Sequence, residues 1–90
     1  MNVEHAKEII KKMNDNLKIL QGLILENFLI PAERVIPEAK LEEDLGIDSL
    51  GLVKLVLDLE EACKISISDD ECSGIKTVDD LIVIMNREIS

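Results

Sequence analysis

Aromatic side chains are almost missing from this sequence: Phe28 stands alone, with no Trp and no Tyr among 90 residues. Without large rigid rings, a core must be built from Leu, Ile, Val and Met, whose movable side chains repack more readily. Cysteine is scarce too. Cys63 and Cys72 make no disulfide framework, and no signal-peptide pattern suggests export. One histidine (His5) and no Cys-x-x-Cys pair argue against zinc. The longest apolar runs are far too short to cross a bilayer. The expectation from these absences is a cytoplasmic domain with no metal and no membrane span.

What the chain does have is acid. The net charge is −9, and its placement is uneven. Between Glu42 and Asp80 stand twelve acidic residues against three basic ones, Lys54, Lys64 and Lys76; the remainder is neutral. A field of that sign repels nucleic acid and anionic membrane and steers the chain toward basic partner surfaces. Acidity also serves plain solubility, but its concentration around one Asp-Ser pair favours a partner. With 47% hydrophobic residues the chain can bury one core, and at this length only one.

Val3, Ala6, Ile10, Met13, Leu17, Leu20 and Ile24 recur at steps of three and four, a helical stripe that Ile9, Leu23 and Phe28 widen. Asn14-Asp15-Asn16 are poor helix formers, yet the stripe keeps its phase across them. The spacing predicts one long helix to about Leu29, stopped by Pro31. Residues 31–48 read as a long loop pinned by Val35, Ile36, Leu41, Leu45 and Ile47. Gly46 then gives a turn its freedom, and Asp48 caps a second helix from Ser49 to about Cys63. Its predicted core stripe is Leu52, Val56, Leu59 and Cys63, with Val53 and Leu55 beside it. A short helix follows behind the capping box Ser68-x-x-Glu71 and ends at Gly74. The last helix begins at Thr77, turns Val78, Leu81, Ile82 and Met85 inward, and has Arg87 near its end. No segment alternates convincingly as a strand. The fold class is all-α, a four-helix bundle with one short helix and an N-terminally extended first helix.

Leu45-Gly46-Ile47-Asp48-Ser49-Leu50 carries the chemistry. An Asp-Ser pair before a helix is commonplace and, taken alone, reads as a simple cap. Here Ser49 stands at the positive end of a helix, a suitable place for a phosphodiester. No histidine lies near it in sequence, so it lacks an obvious general base. This serine is better placed to be modified by another enzyme than to attack a substrate. No catalytic residue is assigned.

Four segments in order extend the signal. They are Glu43-Asp44-Leu45-Gly46-x-Asp48-Ser49-Leu50, Val53-x-Leu55-Val56-x-x-Leu59-Glu60-Glu61, Ile65-x-Ile67-x-Asp69 and Ile75-x-Thr77-Val78-x-Asp80. With them the sequence resembles the acyl carrier protein family from roughly Asn16 to Arg87 without a gap. Residues 1–15 are then a helical extension and 16–90 the carrier domain. The resemblance implies a four-helix bundle with one short helix. It also implies 4′-phosphopantetheine carried on Ser49, attached from coenzyme A by a phosphopantetheinyl transferase, with acyl groups held on the arm's thiol. It assigns partner recognition to the helix after the serine, which here means Asp48, Leu50, Val53, Leu57, Glu60 and Glu61. Lys54 lies on that helix too. Members serving general fatty-acid synthesis usually have acids where this chain has Gly51 and Lys54, which points to a specialised carrier. The expected partners are acyl-transferring and condensing enzymes with basic docking surfaces, met by a monomer.

The aliphatic residues expected between the second helix and the final two are Leu52, Val56, Leu59, Ile67, Ile75, Leu81 and Met85. A bundle this soft could part to receive an acyl chain, which gains about 0.8 kcal/mol per methylene withdrawn from water. Two rivals stand beside this reading: a peptidyl or D-alanyl carrier, and an acidic helical interaction module without an arm. Other features keep plain readings. Cys63 and Cys72 are expected as buried small hydrophobes, Met13 and Met85 as core filler, and His5 on the surface. The acidic runs 42–44 and 69–71 lack the spacing of a calcium loop.

Overall fold

The apolar stripe unbroken at Asn14-Asp15-Asn16 forms one helix, α1, Val3–Phe28. Leu29 then swings into the left-handed region (φ 58) with its N–H bonded to Leu25 O at 2.9 Å, and Pro31 prevents the helix from resuming. The computed structural model describes residues 3–86, the side chain of Ile9 excepted. Arg87, expected near the end of the last helix, and the packing of Ile9 lie outside the described residues.

Three more helices follow: α2, Ser49–Cys63; α3, Asp69–Ser73; and α4, Val78–Asn86. Each is started by the local chemistry read from the sequence. Asp48 takes the Gly51 N–H on its carboxylate at 2.9 Å, and Ser68 and Glu71 bond reciprocally as a capping box. Thr77 Oγ1 accepts from Asp80 N at 3.2 Å while Asp80 accepts from Thr77 N at 3.0 Å, a second reciprocal pair. No strand occurs among the described residues, only a single bridge between Lys40 and Thr77.

α1 is the spine against which α2 and α4 pack. At 1.5 Å per residue its length is about 39 Å, and the molecule's longest dimension is 41 Å. The core is aliphatic throughout and contains no buried polar or charged residue among those described. Val78, Leu81, Ile82 and Met85 of α4 are buried together, as the sequence predicts.

Several expected core positions come out differently. On α1, Leu20 and Ile24 are fully buried, but Val3, Ile10 and Met13 are exposed, lying beyond Asn16, which meets Asn86 at the end of the described part of α4. Met13 is therefore not core filler. Ile36 is exposed, and its expected anchoring role falls to Ile30 and Ala39. In α2 the buried set is Leu55, Val56 and Leu59, a rotation of about one residue from the predicted stripe. Leu52 is half-buried, and so are Cys63 and Cys72, short of full burial.

The long loop is stitched down by backbone hydrogen bonds. Leu41 N donates to Lys76 O, Val78 N to Ala39 O and Asp79 N to Pro37 O, all at 2.9–3.0 Å. Gln21 of α1 holds the other side, donating to Val35 O at 3.1 Å. Ser49 thus follows a loop that is ordered by distant parts of the chain.

Candidate functional site

The approach to Ser49 is built one bond at a time. Gly46 takes φ +71, a conformation that other residues adopt only with strain, and its N–H bonds Glu42 O at 3.0 Å. Ile47 N–H donates to Leu41 O at 2.8 Å, and the Ile47 side chain is buried. Asp48 is extended and caps α2 through Gly51, and its own C=O accepts from Leu52 N at 2.8 Å. These contacts leave Ser49 exposed on the first turn of α2, where the helix presents its positive end. The only histidine is 23 residues before the end of α1, roughly 35 Å along the spine at 1.5 Å per residue. Ser49 therefore has no histidine base within reach.

Beside Ser49 a cavity of about 320 Å³ opens toward α3. Leu41, Ile47, Leu52, Val53 and Ile75 form its apolar wall, and Cys72 faces it. Its rim is polar, with Glu42, Asp48, Asp69, Ser73 and Lys76. Of the seven aliphatics expected to receive a cargo chain, Leu52 and Ile75 line this cavity. Val56, Leu59, Ile67, Leu81 and Met85 are buried in the closed core.

The outward face of α2 mixes apolar and charged groups. Leu50 is 81% exposed, Leu57 60% and Val53 50%, with Lys54 and Glu61 exposed among them. Glu60 differs from its neighbour: it is half-buried and its carboxylate accepts from Ile67 N at 2.9 Å. Sequence reasoning missed Phe28, whose ring lies over Gly51; the signal was the single aromatic paired with a glycine inside a helix. Away from the site, burial pushes the Cys63 thiol pKa up.

A family model for the phosphopantetheine attachment site matches residues 18–82. The chain belongs to the acyl carrier protein family. An acyl carrier protein of Desulforapulum autotrophicum is 46% identical over 69 residues, covering 77% of this chain and 80% of that one. One from Thermosynechococcus vestitus is 34% identical over 74 residues, covering 82% and 91%. The crystal structure of an acyl carrier protein from Thermotoga maritima superposes with a TM-score of 0.77 at 28% identity, covering 87% of this chain and 91% of that one.

Membership makes the chain a carrier and not an enzyme, holding acyl groups on covalently attached 4′-phosphopantetheine. The peptidyl, D-alanyl and armless alternatives are not favoured. The residues present fit such a group: an exposed serine at a helix N-terminus stands at the mouth of a cavity with an apolar wall and a polar rim. That pairing suits an arm made of amides and methylenes. When bound, the arm supplies a terminal thiol for thioester formation, and the chain supplies its placement. No helix among the described residues is long and apolar enough to cross a membrane.

Proposed function

We propose that Ser49 is the residue that bears the arm, and that residues 16–90 form the carrier domain with 1–15 as an extension. The observation that carries this reading is the exposed Ser49 hydroxyl on the first turn of α2, at the mouth of the cavity. Asp48 contributes by capping that turn and fixing its start. Tethering raises the local concentration of an acyl intermediate at each partner's active site, so the carrier speeds transfer without chemistry of its own.

The partners are a phosphopantetheinyl transferase and then acyl-transferring and condensing enzymes of fatty-acid, lipid or polyketide-type biosynthesis, met in the cytoplasm. Their docking surfaces are basic with an apolar centre, to match Leu50, Val53 and Leu57 with Glu61 beside them. Lys54 reduces the negative charge near the arm, which favours a dedicated partner set. The acyl chain enters beside α2 through Leu52 and Ile75, and a longer chain parts the bundle toward Val56, Leu59, Ile67, Leu81 and Met85.

Intact mass after incubation with coenzyme A and a phosphopantetheinyl transferase tests the site. The native chain should gain one arm and Ser49→Ala none. Ser49→Ala should stay folded, since losing an exposed polar side chain at a helix start costs about 0.5–2 kcal/mol at most. An arm on Ser49→Ala would place the attachment elsewhere.

A further inference from the structure

Phe28 is both the last residue of α1 and the only aromatic side chain in the protein. Its position is set by the way α1 ends, with Leu29 left-handed and bonded back to Leu25. From there the half-buried ring reaches across to the first turn of α2. Its Cε1 lies 3.1 Å from the point where a Cβ on Gly51 would stand. Ile47 Cγ2 lies 3.2 Å from that same point, and Asp48 Oδ1 3.4 Å. Glycine is thus the residue that lets ring, loop anchor and cap meet.

That meeting matters because the first turn has few other anchors. Ser49 and Leu50 are exposed, and Leu52 is only half-buried. Three things hold the turn: the Asp48 cap, the buried Ile47 tied to Leu41 O at 2.8 Å, and the ring lying against Gly51. The first two restrain the turn from the loop side; the third ties it to the spine helix. A methyl group at position 51 would press on the ring and on Ile47 closer than packed carbons normally approach. The ring edge, the Ile47 side chain or the turn between them must then give by a few tenths of an ångström, and Ser49 lies on that turn.

We infer that the Phe28–Gly51 contact is a positioning device for Ser49, fixing the angle of the first turn of α2 to α1 so that Ser49 Oγ meets the loading enzyme correctly. The inference rests on Ser49 being the attachment residue. Phe28 and Gly51 act through the serine and touch no substrate. Misplacing a reacting atom by about 1 Å can cost up to roughly a hundredfold in rate, so a small rotation suffices for a measurable effect.

The test is the loading reaction of the full chain with coenzyme A and a phosphopantetheinyl transferase, followed by intact mass, with kcat and KM separated. Gly51→Ala should lower kcat by about tenfold with KM little changed, while circular dichroism at 222 nm reports an intact helix content. Adding Phe28→Leu, which removes the ring edge, should restore most of the rate. A purely structural role gives the opposite pattern, because alanine is the better helix former and would strengthen α2 without slowing loading. Native kcat in Gly51→Ala, or no recovery in the double variant, overturns the proposal. If Gly51→Ala does not fold, Phe28→Ala decides: kcat should fall with KM unchanged, and native kcat there overturns the proposal equally. Loading of Ser49→Ala in the same assay is a separate result, and it would remove the attachment reading instead.

Discussion

The carboxylate of Glu60 accepts a hydrogen bond from the backbone N–H of Ile67 at 2.9 Å, tying the last turns of α2 to the strap that leads into α3. Glu61, next in sequence, is exposed and makes no such tie. Two adjacent acids that look interchangeable in the sequence are thus divided between holding the fold and colouring the surface.

Glu60→Ala should lower stability by about 1–3 kcal/mol, because it leaves a part-buried N–H without its charged acceptor. Glu61→Ala should stay within about 0.5 kcal/mol of native. Urea midpoints at constant m-value separate the two. Glu61→Lys should instead slow association with a basic partner, more at low salt than at high. Equal midpoints for the two alanine variants would contradict the assignment.

Cys63 offers a pH test. Burial favours its neutral thiol, so its pKa in the folded protein lies above that in the unfolded chain. The resulting stabilisation is fully present below the unfolded thiol pKa and is lost as pH rises through the folded value. Alkylation of Cys63 requires the thiolate, so its rate profile in native protein should rise at higher pH than in urea-unfolded protein. Cys72→Ser simplifies the readout to one thiol. Coincident profiles would show that burial does not govern this group.

Deleting residues 1–13 should leave the bundle folded. Val3, Ile10 and Met13 are exposed, so little apolar burial is lost with them, whereas Leu17, Leu20 and Ile24 remain. The expected change is about 1 kcal/mol or less, with arm loading at the native rate. A drop of several kcal/mol would place part of the core in the extension.

Local chemistry was what the sequence disclosed best. Asp48, the Ser68–Glu71 pair and Pro31 act within a turn of themselves, so their roles were visible without a neighbour. Periodicity disclosed which way a helix faces but not how far its neighbours extend, which is why Met13 was expected inside and stands outside. The one-residue rotation of α2 toward Leu55 is of the same kind: the stripe shows that one face packs, and the contact with α1 decides the angle at which it does. In the loop, Ile36 faces out and Ala39 faces in because backbone bonds to residues 76–79, invisible in a linear reading, decide which side packs. The site followed this pattern. The exposure of Ser49 and the cap at Asp48 were legible, while Gly51 read only as a position without an acid until Phe28 stood beside it.

The bond from Leu41 N to Lys76 O closes a ring of chain that contains α2, Ser49 and α3 entirely. The entropic toll for closing a loop grows only with the logarithm of its length, about 0.6 kcal/mol for each doubling. Contacts local to the ring, such as the α2 hydrogen bonds and the Ser68–Glu71 box, do not wait for that closure, whereas contacts between the ring and the rest of the chain do. The knot at residues 37–41 and 76–79 therefore gives the turn that carries Ser49 a direction set by residues far from it in sequence, and a change that loosens the knot would reach Ser49 without touching it.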